Sequence, residues 1–203
     1  MTDQNQTLRD DIAFMRELAQ FGAAGPLAGG SILLAAGLIF AATSLTCWYA
    51  IDRHLVTNGV FFPIVWFGAT AIFLACLFVL KRRIPRTGGA ARAQGLAFSS
   101  AGWVIGAIVL SLMLIASRAG AWWVMGAVAP IALAIYGGAW VFAAGVSGCR
   151  WPAVVAAGSF VMAGVCAWCA LDPAVQYLAY AASLIAVLTL PGLYMMHQAR
   201  KAA

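Results

Sequence analysis

Residues 27–51 read LAGGSILLAAGLIFAATSLTCWYAI, a long stretch without a single charged side chain. An α-helix rises about 1.5 Å per residue, so about 20 apolar residues cross the roughly 30 Å hydrocarbon core of a bilayer. The stretch therefore has the length and composition of a membrane-spanning helix. Its apolar and polar residues do not alternate, which argues against a strand of a membrane barrel.

The rest of the chain has the same character. Of its 203 residues, 64% are hydrophobic and 9% are charged, whereas soluble domains carry about 25% charged residues. Cutting the sequence at its charges gives six apolar segments of spanning length. They are Leu27–Ile51, Val60–Leu80, Leu96–Ser117, Ala121–Val146, Pro152–Leu171 and Val175–Met196. We therefore predict an all-α, polytopic membrane protein with six transmembrane helices.

The connections between the predicted helices are mostly short, as at Arg118–Gly120 and Asp172–Ala174. Short loops make consecutive helices antiparallel neighbours, so we expect three helical hairpins. The predicted organisation has three parts. Residues 1–26 form a cytoplasmic segment with one amphipathic helix, residues 27–196 form the bundle, and residues 197–203 form a cytoplasmic tail.

The basic residues predict the orientation, because Lys and Arg concentrate in cytoplasmic segments. Ten of the twelve lie on the side of both chain termini, and only Arg53 and Arg118 lie on the other side. Four of the six acidic residues share the basic side, which therefore carries the whole net charge of +6. We expect a multi-pass protein of a bacterial inner membrane, with both termini in the cytoplasm.

The densest basic stretch is KRRIPR at residues 81–86. It adjoins the end of a predicted helix and lacks interleaved aromatic residues, which disfavours binding of nucleic acid. Its charge suits the anionic surface of the cytoplasmic leaflet. We therefore expect the lipid bilayer as one partner and no nucleic acid.

The charged segment TLRDDIAFMRELAQ at residues 7–20 is predicted to be an amphipathic helix. Thr7 is a plausible N-cap, and Asp10 completes a pattern like a capping box. Three interpretations stay open: a helix in the plane of the membrane interface, a lid beneath the bundle, and a docking helix for a protein partner. The candidate partner-binding residues here and in the basic stretch are Ile12, Phe14, Met15, Leu18, Arg82 and Arg83.

Reactive side chains are scarce in the predicted spans. No acidic or basic residue lies in the middle of a span, which disfavours coupling to protons or sodium. The sequence shows no spacing typical of a nucleophile with its base, a carboxylate pair or a metal site. We predict that the protein is not an enzyme and uses no cofactor. The pair Cys166 and Cys169 leaves a thiol oxidoreductase as a third interpretation.

Two prolines fall inside predicted spans, and each should kink its helix because it lacks a backbone N–H group. A pathway for a transported compound would be expected near these kinks. The candidate pathway residues are Pro130, Tyr136, Gly137, Gly138, Pro191 and Gly192. The pairs Gly37/Ala41 and Gly102/Gly106 have the four-residue spacing of close-packed membrane helices, and we favour packing within one chain over dimerisation.

The segment DIAFMRELAQFGAAGPLAGGSILLAAG at residues 11–37 resembles the start of a group of small bacterial inner-membrane proteins with six helices. In that group, a D-x-A-F-M-R-x-L-A helix leads into P-L-x-G-G and the first span. The resemblance implies a distinct cytoplasmic element at residues 11–22 and supplies no activity. We favour a protein that acts by binding, as a homo-oligomer or an accessory subunit. The alternative is an uncoupled carrier or channel for a neutral or lipophilic compound.

Overall fold

A computed structural model of the chain describes residues 29–56, 59–83 and 89–202. The predicted amphipathic helix, with Ile12, Phe14, Met15 and Leu18, lies outside the described residues.

Helices make up nearly all of the described chain. They are α1 (Gly30–Asp52), α2 (Phe61–Arg83), α3 (Gly89–Ala119), α4 (Val128–Ser147), α5 (Trp151–Trp168), α6 (Pro173–Leu184) and α7 (Leu190–Ala202). Short 3-10 segments precede α4 and follow α5, at Trp122–Ala127 and Cys169–Leu171, and a π-helical segment, Ile185–Thr189, joins α6 to α7. Six stretches of the described chain are long and apolar enough to cross a membrane. The predicted all-α, multi-pass fold is confirmed.

Local sequence signals explain where the helices begin and end. Asp172 caps α6, since its Oδ1 accepts hydrogen bonds from the backbone N–H groups of Ala174 and Val175 at 3.1 and 3.3 Å. Gly148 ends α4 in the left-handed conformation, with φ of 65°. His54 follows α1 with φ of 53°, a conformation that a non-glycine residue rarely adopts.

The connection between the second and third apolar segments is helical at both of its ends. The helix α2 continues to Arg83, beyond the apolar segment that ends at Leu80, and α3 begins at Gly89, before the one that starts at Leu96. The residues at the start of α3 read GAARAQ, and alanine, arginine and glutamine favour helix even without an apolar face. Charge marks where a helix leaves the membrane, whereas the helix itself can extend into water.

The packing of the helices only partly follows the chain order. As expected for three hairpins, α1 packs on α2, α4 on α3, and α6 on α5. The most extensive contacts are instead between α4 and α5 and between α1 and the sixth span, which comprises α6, the π-helical segment and α7. Among the described residues, the consecutive helices α2 and α3 share almost no contact with each other.

The sixth span therefore lies at the centre of the bundle. Buried residues make up 56% of its most apolar stretch, compared with 44% in the first span and 39% in the fourth. The core includes Leu133, Trp140, Leu184 and Leu188, which are almost completely buried. In the second and third spans only 6% of residues are buried. These two helices are peripheral, and most of their side chains face outward.

Candidate functional site

We call the end of the bundle that carries Lys81, Arg82, Arg92, Arg150, Arg200 and Lys201 the basic end, because the alternating spans bring these residues to one side. The opposite end carries Asp52, Arg53, His54, Arg118 and Asp172. The candidate functional features divide between the centre of the bundle, the basic end and the outer faces of α2 and α3.

Pro191 leaves one backbone carbonyl in the bundle without its helical donor. A proline cannot donate to the carbonyl four residues earlier, here that of Val187, and the chain is π-helical just before it. The indole Nε1 of Trp140, on α4, donates a hydrogen bond to this carbonyl at 3.1 Å. Trp140 thus restores the missing bond and joins the fourth span to the sixth.

A second side-chain donor serves a backbone carbonyl near Pro130, at the opposite end of the bundle. Pro130 lies in the first turn of α4, where it interrupts no helical hydrogen bond within α4, and it cannot donate to the carbonyl of Gly126. The side-chain Nε2 of Gln176 donates to that carbonyl at 2.6 Å and also to the carbonyl of Cys166 at 3.1 Å. One buried amide therefore holds the ends of the fourth and fifth spans against α6.

Close backbone contact joins the first span to the sixth. A Cβ atom added to Gly192 would lie 2.7 Å from the backbone nitrogen of Leu34, and one added to Gly30 would lie 2.6 Å from the carbonyl oxygen of Gly192. A Cβ atom added to Gly37 would lie 2.8 Å from the backbone nitrogen of Thr189. Only glycine permits such an approach at these positions.

The other candidate pathway residues lie apart from this contact. A Cβ atom on Gly137 would lie 2.7 Å from the ring of Phe160, on α5. Gly138 faces open space instead, and Tyr136 is half-buried beside the core. The structure thus places Gly137 against α5 and Gly192 against α1, and does not bring the two to a common face.

A row of aromatic rings crosses the half of the bundle nearer the basic end. Phe98, Trp140, Trp151 and Tyr194 follow one another in edge-to-face contacts, with ring centroids 4.9, 5.4 and 5.1 Å apart. These residues come from α3, α4, α5 and α7. The row therefore fixes four helices to one another, and it anchors the peripheral helix α3 at its first turns.

The outer faces of α2 and α3 form an exposed apolar surface of the bundle. Large apolar side chains project from both helices. The most exposed on each are Ile64, Phe78, Trp103 and Leu114, with exposed fractions between 61% and 80%. At the end of α2, the guanidinium of Arg82 lies 4.1 Å from the centre of the Phe78 ring, and its side chain is exposed. Arg83 belongs to α2, and its side chain is outside the described residues.

The predicted redox pair has no special geometry. All five cysteines are free, and the thiol of Cys166 is fully buried 3.9 Å from the hydroxyl of Ser183. Cys169 is half-buried in the 3-10 segment that follows α5. Within the described ranges, no three His, Cys, Asp or Glu side chains are grouped so as to hold a metal ion.

Two buried glutamines were not singled out from the sequence. Gln94 and Gln176 are 1% and 7% exposed, inside a protein whose spans are otherwise apolar. The sequence did indicate that these residues need hydrogen-bond partners, because an amide within or next to a membrane span is costly unless it is paired. Their partners come from distant parts of the chain, so the sequence could reveal the need for a partner and not its identity.

Comparison of the chain with protein-family models, with curated proteins and with solved structures returned no match.

Proposed function

We propose that this protein is a non-enzymatic component of a bacterial inner membrane that acts by binding. Both termini would lie in the cytoplasm, and the chain would serve as an accessory or regulatory subunit of a membrane complex, or as a homo-oligomer. The observation that carries this proposal is the contrast in burial between the spans. The second and third have 6% of their residues buried, compared with 56% in the sixth.

Binding to a membrane complex would use an apolar surface and a basic surface, and both lie on α2 and α3. The apolar outer surfaces of α2 and α3 can pack against helices of another membrane protein. Lys81, Arg82 and Arg92, at the ends of the same two helices, are exposed where they would meet an acidic cytoplasmic surface. The predicted amphipathic helix at residues 7–20 would add apolar anchors on this side.

The centre of the bundle supports the same proposal. The amide of Gln176, the indole of Trp140 and the hydroxyl of Ser159 are engaged in hydrogen bonds between spans. Gly137 and Gly192, two candidate pathway residues, are occupied by close packing. These groups hold the bundle together, so they lend no support to the alternative of a carrier or channel.

Affinity purification after gentle extraction tests the proposal. Arg82→Glu combined with Arg83→Glu should strongly reduce recovery of the associated polypeptide, because the basic end would then repel an acidic partner. The matched control is Arg118→Glu, which reverses a charge at the opposite end and should leave recovery unchanged. Equal recovery with all three proteins, or no associated polypeptide and no multiple of the 21.2 kDa chain, would contradict the proposal.

A further inference from the structure

The row of aromatic rings ends in a pair, Trp151 on α5 and Tyr194 on α7, whose centroids are 5.1 Å apart. Trp151 also packs on the buried ring of Trp140, at 5.4 Å, and Trp140 is itself hydrogen-bonded to the carbonyl of Val187. Trp151 is half-buried and Tyr194 is 44% exposed. The pair is therefore held in place by the core and is accessible from outside the bundle.

Polar and basic side chains flank this pair. Tyr194, Gln198 and Lys201 are four and three residues apart on α7, so they share one face of the helix. Nε2 of Gln198 donates to the hydroxyl oxygen of Tyr194 at 2.8 Å, which leaves the O–H of Tyr194 available to donate to another group. Arg150 directly precedes Trp151 and, like Lys201, is exposed. This surface therefore offers hydrogen-bond donors and positive charge.

Within the described ranges, no acidic side chain neutralises this charge. The acidic residues described are Asp52 and Asp172, and both lie at the opposite end of the bundle. Asp52 is 3.7 Å from Arg53, its neighbour in the chain. The first turn of α5 also lacks an acidic residue, although the helix dipole favours negative charge there. The surface is thus complementary to an anion.

Apolar side chains continue the surface toward the middle of the bundle. Val154 lies three residues beyond Trp151 on α5, and Leu190 lies four residues before Tyr194 on α7. These spacings place each on the same helix face as its aromatic residue. Val154 is 71% exposed and Leu190 is 57% exposed. A ligand with an anionic head and a hydrocarbon tail would contact both parts of the surface, whereas free phosphate or an acidic peptide would contact only the first.

We propose that this surface binds an anionic phospholipid. Arg150, Tyr194 and Lys201 hold its phosphate group. An acyl chain lies along Val154 and Leu190. The aromatic pair is then at the level of the head groups, where tryptophan and tyrosine rings are favoured, and basic sites between membrane helices are known to bind such head groups. The site is on α5 and α7, so it is separate from the surface of α2 and α3 in the proposed function.

Native mass spectrometry of the full chain, stripped of lipid in detergent, tests the site with phosphatidylglycerol as the probe. Arg150→Gln combined with Lys201→Gln should weaken binding of the first lipid by about tenfold or more, because both charges that face the phosphate are lost. The matched control is Arg92→Gln combined with Arg200→Gln. It removes the same charge from the same end of the bundle, away from this face, and should leave binding nearly unchanged.

A second variant tests the hydrogen bond. Tyr194→Phe keeps the ring and removes the O–H, so it should weaken binding of phosphatidylglycerol by about threefold. Phosphatidylcholine, whose head group has no net charge, should bind the unchanged protein more weakly than phosphatidylglycerol. Thermal unfolding in lipid-free detergent checks that all the variants are folded.

Three results would overturn the proposal. Equal weakening by the two double variants would show a diffuse attraction to the whole basic end. Equal affinity for phosphatidylglycerol and phosphatidylcholine would remove the role of charge. Displacement of the lipid by excess inorganic phosphate would assign the surface to a free anion. The test needs no protein partner, so its failure leaves the proposed function standing, and failure of the purification test leaves the lipid site standing.

Discussion

Trp140 donates its indole N–H to the carbonyl of Val187, four residues before Pro191, with 3.1 Å between nitrogen and oxygen. The proline and the tryptophan are 51 positions apart in the sequence, and they act on the same carbonyl group. Pro191 leaves an acceptor open in the centre of the bundle, and Trp140 supplies a donor from another span. Gln176 likewise donates from another span to the carbonyl of Gly126, four residues before Pro130.

Replacing Trp140 with phenylalanine should destabilise the protein by about 1–3 kcal/mol, because the ring remains while a buried carbonyl loses its donor. The measurement is unfolding monitored by circular dichroism in one fixed detergent. The control is Trp103→Phe, at a position 80% exposed on α3, which should change little. The effect of Trp140→Phe should shrink when Pro191 is replaced by alanine, whose N–H can serve the Val187 carbonyl. An unchanged effect would mean that ring packing alone holds Trp140.

Gln176→Leu should also destabilise the protein by about 1–3 kcal/mol, since the half-buried carbonyl of Gly126 and the buried carbonyl of Cys166 lose the same donor. The loss should appear in the same unfolding measurement. Gln198→Leu is the matched control, because that amide is exposed and donates to the hydroxyl of Tyr194 in its own helix. A comparable loss at both positions would show that Gln176 has no special structural role.

Gly192→Ala should destabilise the contact between the first and sixth spans by about 1–3 kcal/mol, because the new methyl group meets the backbone of Leu34. Gly102→Ala adds the same methyl group on α3, where nothing lies within 4 Å, and should be neutral or stabilising. Thermal unfolding of the two variants in parallel measures the difference. If Gly102→Ala is the more damaging of the two, its face must be covered by another chain.

His54→Gly should stabilise the protein by about 1 kcal/mol, because a left-handed backbone carries a steric cost for a residue with a Cβ atom. The neighbouring Arg53 has φ of −90°, so Arg53→Gly relieves no such cost and provides the control. The two variants are compared by thermal unfolding at one pH and salt concentration. A stability gain with Arg53→Gly and none with His54→Gly would contradict this account of the end of α1.

Features that depend on local sequence could be predicted, and features that depend on distant contacts could not. The six spans follow from the positions of the charges, since a charged group is costly in hydrocarbon wherever the helix lies. The separation of α2 from α3 does not follow, because it depends on which side chains of distant spans pack against each helix. The donors of Gly126 and Val187 likewise come from residues 50 and 47 positions away. The sequence shows where each proline lies, but it does not identify the side chain that donates a hydrogen bond to the nearby carbonyl.

The most direct test of binding through α2 and α3 is photo-crosslinking in the native membrane. A photoreactive phenylalanine analogue is placed at Phe78 on α2, at Trp103 on α3 and, as a control, at Val154 on α5, which is 71% exposed. The account predicts crosslinks to one defined polypeptide from positions 78 and 103 and none from position 154. Crosslinks only to lipid at 78 and 103, or the same polypeptide from all three positions, would contradict it.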